Sequence, residues 1–205
     1  MSLSTFDELK ADIADFLNRD DLDTVIPKFI KLAEADMNRK LRHWRMERRS
    51  NATVDTQYTS LPQDFIDAVR LQITSPGGIQ RLELISNSEL MDKRAVTDTS
   101  GKPRFYVLND GTIEVYPTPD QEYTLQIIYI SSLPDLETNS TNWLLTYHPD
   151  CYLYGALLHS APYLQEDPRT QTWAALYKNT VDGINLEDDK AKTSGAGHRM
   201  RIRSF

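Results

Sequence analysis

Residues 105–116 read Phe105-Tyr106-Val107-Leu108-Asn109-Asp110-Gly111-Thr112-Ile113-Glu114-Val115-Tyr116: two runs of aromatic and branched residues around Asn-Asp-Gly. Asp-Gly supplies the positive φ that a tight reversal needs, so the segment predicts a β-hairpin, Phe105–Leu108 with Thr112–Tyr116. Outward from it the period stays at two. Tyr123 to Ile130 is rich in Ile, Tyr, Leu and Thr and stops at Ser131-Ser132-Leu133-Pro134, which predicts a further strand. Upstream, Val69, Leu71 and Ile73 alternate with polar residues before Pro76-Gly77-Gly78, and Ile79, Leu82 and Leu84 follow, which predicts a second hairpin. Between the hairpins, Ser86 and Glu89 bracket the start of a short helix containing Leu90 and Met91.

Both flanks carry a helical period. Ser4 or Thr5 caps a segment with Phe6, Leu9, Ile13, Phe16 and Leu17 on one stripe, closed by Asn18-Arg19-Asp20-Asp21. A longer helix runs from near Thr24 to Leu41 or Arg42, with Pro27 in its first turn and Ile26, Phe29, Ile30, Ala33, Met37 and Leu41 on one face. After Pro134 come a short helix at Asn142–Tyr147, an apolar one from Pro149 to near Pro162, and a last one from about Asp167-Pro168 that aligns Trp173, Leu176, Tyr177, Val181 and Ile184. Helices, then strands, then helices is the order of an α+β protein, not of a doubly wound α/β fold. The reading is a helical bundle from segments 1–43 and 134–191, a β-rich insertion over 44–133, and an extended C-terminal arm over 192–205.

Composition limits function. The chain has 205 residues, 40% of them hydrophobic, with a mean hydropathy of −0.52, which suits one modest core with an insertion. Thirty acids against 23 bases leave −7, the wrong sign for a chain that holds nucleic acid over its whole surface. No window approaches the ~18 apolar residues of a membrane span and the N-terminus lacks a signal-peptide pattern, so a soluble compartment is expected. The one cysteine, Cys151, excludes an internal disulfide framework. His148, Cys151 and His159 offer metal-ligand or nucleophile chemistry, but eleven helical residues separate the two histidines by ~16 Å along an axis, so no metal and no catalytic residue is expected, and no cofactor motif occurs.

Two basic features stand out. Residues 39–49 hold Arg39, Lys40, Arg42, Arg45, Arg48 and Arg49 against Glu47 alone, a local +5. They fit a helix C-terminus followed by a solvated strand, or a contact with an acidic neighbouring subunit or with DNA phosphates. Beyond a Gly-containing hinge the tail alternates bases and apolar side chains: Arg199, Met200, Arg201, Ile202, Arg203, Phe205. Such an arm is either solvated decoration or a segment that adds to a partner's strand or groove.

The run Ile26-Pro27-Lys28-Phe29-Ile30-Lys31-Leu32-Ala33-Glu34-Ala35-Asp36-Met37-Asn38-Arg39-Lys40-Leu41-Arg42 resembles the second helix of the adaptor, or head-to-tail connector, proteins of tailed bacteriophages. Leu61-Pro62-Gln63-Asp64-Phe65, Gly101-Lys102-Pro103-Arg104-Phe105-Tyr106, Thr141-Asn142-Trp143-Leu144-Leu145 and His148-Pro149-Asp150-Cys151-Tyr152-Leu153-Tyr154-Gly155-Ala156-Leu157 follow in the same order, so the likeness spans about Leu9 to Arg203. The resemblance, which extends to the tail tubular proteins of short-tailed phages, implies a structural virion protein of the tail or neck, assembled in the host cytoplasm. It implies a homo-oligomeric ring, usually of twelve subunits, below the portal protein. Such a ring extends the channel for double-stranded DNA without sequence-specific binding and docks a tail nozzle or other downstream tail protein. It implies that the arm reaches the portal. Two other readings stand beside it: a tail-associated cell-wall hydrolase, which the scattered carboxylates and histidines would have to serve, and a DNA-binding module using Arg39–Arg49.

Overall fold

The computed structural model describes residues 3–75, 77–97, 99–164 and 168–193. The chain divides into two compact units, Met1–Arg45 with Leu133–Phe205, and Met46–Ser132. The class is α+β, with seven α-helices among the described residues and two four-stranded sheets. No helix among them is long and apolar enough to cross a membrane.

In the helical unit, α1 (Phe6–Leu17) starts at a reciprocal cap: Glu8 N–H donates to Thr5 Oγ1 at 3.3 Å and Thr5 N–H donates to Glu8 Oε2 at 3.2 Å. Asn18 ends it in the left-handed region at φ 54°. Leu9, Ile13 and Leu17 are buried, whereas Phe16, expected on the same stripe, is 47% exposed. Helix α2 (Ile26–Lys40) opens with Pro27, which sits where no intrahelical N–H is required. Ile26, Phe29, Ile30, Ala33 and Met37 are buried, and so are Glu34 and Asp36. The turn α4 (Leu136–Asn139) was not legible as a helix. Helix α5 (Trp143–Tyr147) is capped by Asn142, whose Oδ1 accepts from Leu145 N–H at 2.9 Å.

Helix α6 (Pro149–Leu164) runs past Pro162, two residues beyond its expected end, and is apolar nearly all round because α1, α2, α5 and α7 pack against it. Gly155 marks its tightest approach: an added Cβ would lie 2.9 Å from Met37 Cε, 3.1 Å from Tyr177 Cε2 and 3.2 Å from Ala33 Cβ. Helix α7 (Thr170–Thr193) begins two residues after Pro168 and buries Trp173, Tyr177, Val181 and Ile184, while Leu176 is partly exposed. The expected Asp167 cap lies outside the described residues.

In the β unit, strands β1 (Glu47–Val54), β8 (Tyr123–Ser131), β3 (Phe65–Ser75) and β4 (Gly78–Arg81) form one antiparallel sheet in the order β1-β8-β3-β4. The second sheet has the order β2-β7-β6-β5, from β2 (Tyr58–Ser60), β7 (Thr112–Tyr116), β6 (Phe105–Asn109) and β5 (Glu83–Leu84). The hairpin β6–β7 closes through Asp110-Gly111 with Gly111 at φ 68°. One core joins the two sheets: Val54, Leu71, Ile73, Tyr123, Leu125, Ile127 and Tyr129 from the first meet Tyr106, Ile113 and Val115 from the second. The other face of the second sheet, with Val107 and Tyr116, packs on Leu90 of α3 (Asn87–Val96), which Ser86 caps by accepting from Glu89 N–H at 3.2 Å.

Two readings of this region change. Pairing with β8 shifts register between Ala68 and Arg70, a bulge that turns Val69 outward to 45% exposure, so the alternation Val69-Leu71-Ile73 breaks. The chain after Gly78 is not one return strand: β4 ends at Arg81, Leu82 is buried, and β5 crosses to the second sheet to pair parallel with β6.

Candidate functional site

The portal-arm residues Arg199, Met200, Arg201, Ile202, Arg203 and Phe205 lie outside the described residues. The basic segment is described throughout, and its six cations serve different local ends. Arg39 and Lys40 pair with Asp36 at 3.2 and 2.6 Å. Arg42 Nη1 donates to the carbonyls of Asn38 at 3.1 Å and Leu41 at 2.7 Å, covering the negative end of α2. Arg45 lies over the rings of Trp44 and Tyr147. In the β unit, Arg48 pairs with Asp64 at 2.9 Å, and Arg49 is exposed on β1 with no side-chain partner among the described residues.

Buried polar groups, which the sequence pattern did not single out, tie the helices around these cations. On α2, Glu34 and Asp36 serve different neighbours. Glu34 Oε1 accepts from Leu136 N–H at 3.1 Å and from Tyr152 OH at 3.2 Å, and Asn142 Nδ2 donates to the Tyr152 oxygen at 2.6 Å. Burial pushes the Glu34 carboxyl up to about 7, against the opposing Leu136 hydrogen bond. Asp36 Oδ2 accepts from Tyr177 OH at 2.9 Å. Burial pushes Asp36 up, but the bonds from Lys40 and Tyr177 outweigh it and hold the carboxyl below its ordinary value. At the end of α2, Asn185 of α7 accepts from Arg42 N–H at 3.1 Å and donates to Lys40 O at 3.2 Å. Asp188, also buried, accepts from Trp44 N–H at 2.6 Å and pairs with Lys192 at 2.8 Å.

Beside it stands an aromatic ladder. The buried His43 ring stacks on Trp143 at 4.9 Å and lies 5.4 Å from the Trp44 ring, and burial pushes its imidazole below the ordinary value. The two tyrosine hydroxyls and the i, i+3, i+4 spacing of Asp36, Arg39 and Lys40 were the available signals for these networks.

The histidine and cysteine candidates do not converge. His148 Nε2 is 3.7 Å from Glu187, Cys151 is fully buried with its thiol pushed up to about 12 by burial, and His159 Nε2 is buried without a hydrogen-bond partner among the described residues. A thiol so shifted is a packing group rather than a nucleophile at neutral pH. Among the described residues no three His, Cys, Asp or Glu side chains are grouped to hold a metal ion. Among the described residues a groove of about 490 Å³ lies between Lys40, Leu158, Tyr177 and Val181.

The arrangement is thus one of networks that fix helix packing and of exposed groups able to meet a partner. No curated protein matches the chain. The sequence model of the SU10 adaptor protein family matches residues 4–201. With nearly its whole length covered, including both helical flanks and the β unit between them, the chain belongs to the SU10 adaptor protein family.

Proposed function

We propose that the protein is a non-enzymatic head-to-tail adaptor of the virion neck that forms a ring, of about twelve subunits as in ring adaptors generally, below the portal protein. The family match over residues 4–201 carries this reading. The ring extends the DNA channel, lets double-stranded DNA pass without sequence-specific binding, and docks the downstream tail component, as tail tubular proteins of short-tailed phages do. A net charge of −7 supports such a role, because a wall attracted to phosphates would retard DNA in transit. Exposed apolar side chains are compatible with subunit contacts: Phe16, Leu32 and Tyr163 on the helical unit and Tyr58, Ile79, Met91 and Val96 on the β unit. The ring forms in the host cytoplasm during virion assembly.

The helical unit supplies ring and portal contacts in this proposal, and the basic contact segment comprises Arg39, Lys40, Arg42 and Arg45 of that unit with Arg48 and Arg49 of the β unit. Residues 192–205 anchor to the portal through Arg199, Met200, Arg201, Ile202, Arg203 and Phe205, whose alternation of base and apolar group suits strand or groove addition. Deleting Thr193 to Phe205 should leave a folded protein that no longer joins portal particles in a pull-down. Undiminished capture of the truncated chain would remove the arm from this role.

A further inference from the structure

Trp44, Arg45 and Tyr147 make an exposed stack on the helical unit. The Arg45 guanidinium carbon lies 4.1 Å from the Tyr147 ring centroid and 4.6 Å from that of Trp44. The two rings are 57% and 46% exposed. Their support is rigid: Trp44 N–H is held by Asp188, and behind Trp44 stand the buried His43 ring and Trp143. Arg45 differs from the paired cations of the basic segment, and from the equally unpaired Arg49 in lying over two rings. Arg39, Lys40, Arg42 and Arg48 spend their donors on carboxylates or carbonyls, while the Arg45 guanidinium has no hydrogen-bond or ion-pair partner among the described residues. With two rings against it, its N–H groups stay open to an acceptor beyond the described residues.

We propose that this stack is an assembly anchor that receives an aspartate or glutamate side chain from a second copy of the chain. This rests on the ring reading above and names one contact within it. A planar guanidinium fork matches a carboxylate bidentately, and tryptophan, tyrosine and arginine together are the composition of interface hot spots. A second copy brings the complement, since 30 acids against 23 bases leave each copy with surplus carboxylates.

Sedimentation of wild type, Arg45→Ala and Arg45→Lys, free and with portal particles, tests the anchor. Arg45→Ala should weaken self-association about tenfold or more, the scale of a hot-spot truncation. Arg45→Lys keeps the charge but loses the planar fork, and should fall well short of wild type at every salt concentration. Both should melt as wild type does. Wild-type assembly by Arg45→Lys overturns the anchor and leaves the ring reading standing. A wild-type chain that stays monomeric even with portal overturns both. Unchanged self-association with lost binding to a short DNA duplex would assign Arg45 to phosphate instead.

Discussion

Replacing Gly155 by alanine sets two effects of similar size against each other. Alanine in a helix interior is favoured over glycine by about 1 kcal/mol through backbone entropy. At Gly155 the new methyl would meet Met37 Cε at 2.9 Å, Tyr177 Cε2 at 3.1 Å and Ala33 Cβ at 3.2 Å. Met37 can swing its terminal methyl aside, but the Ala33 Cβ is fixed to the α2 backbone and the Tyr177 ring is held by its bond to Asp36. Helix α6 must therefore move away from α2 and α7, and overpacking of this kind costs about 1–3 kcal/mol. The net expectation is a loss of about 1 kcal/mol. Gly183 in α7 is the control: an added Cβ there meets nothing within 4 Å, so Gly183→Ala should gain about 1 kcal/mol, leaving the two variants about 2 kcal/mol apart. Urea unfolding followed by tryptophan fluorescence isolates this unit, since Trp44, Trp143 and Trp173 all belong to it. A Gly155→Ala protein stabilised as much as Gly183→Ala would refute the close approach of α6 to α2 and α7.

Glu34→Gln tests the buried carboxyl through pH. The folded value of about 7 exceeds the ordinary 4.5, so the protonated carboxyl stabilises the fold fully below 4.5 and that stability is lost as pH rises through 7, by about 3 kcal/mol. Glutamine cannot ionise, so the variant should be the more stable protein at pH 8 with a flatter profile between pH 5 and 8; parallel profiles in pH-resolved urea melts would contradict this. Tyr177→Phe leaves the Asp36 carboxylate without its hydroxyl donor, and a loss of about 1.5–3 kcal/mol is expected from the same fluorescence assay, with an unchanged midpoint counting against the bond.

The parts of the fold visible in the sequence are those set locally. Thr5 and Glu8 at a cap, Pro27 in a first turn and Asp110-Gly111 between two branched runs each carry their own geometry, and these elements lie where the pattern puts them. Val69, Phe16 and β5 differ because their environment comes from elsewhere. A register shift against β8 turns Val69 out, and a strand of two residues carries no period of its own. The four-residue α4 is too short to show a period and is held by its backbone bond to Glu34. The site follows the same rule. The richness of residues 39–49 in cations was plain, but their division among Asp36, the α2 carbonyls, two aromatic rings and Asp64 depends on partners up to a hundred residues away along the chain.

In the proposed assembly, copies of this chain close into a ring on the portal. Purified chain mixed with portal particles and imaged end-on by electron microscopy measures this directly. The expected image is a closed ring of countable subunits, coaxial with the portal, with an open lumen wide enough for duplex DNA. Portal particles left bare, or carrying isolated copies without closure, would contradict it.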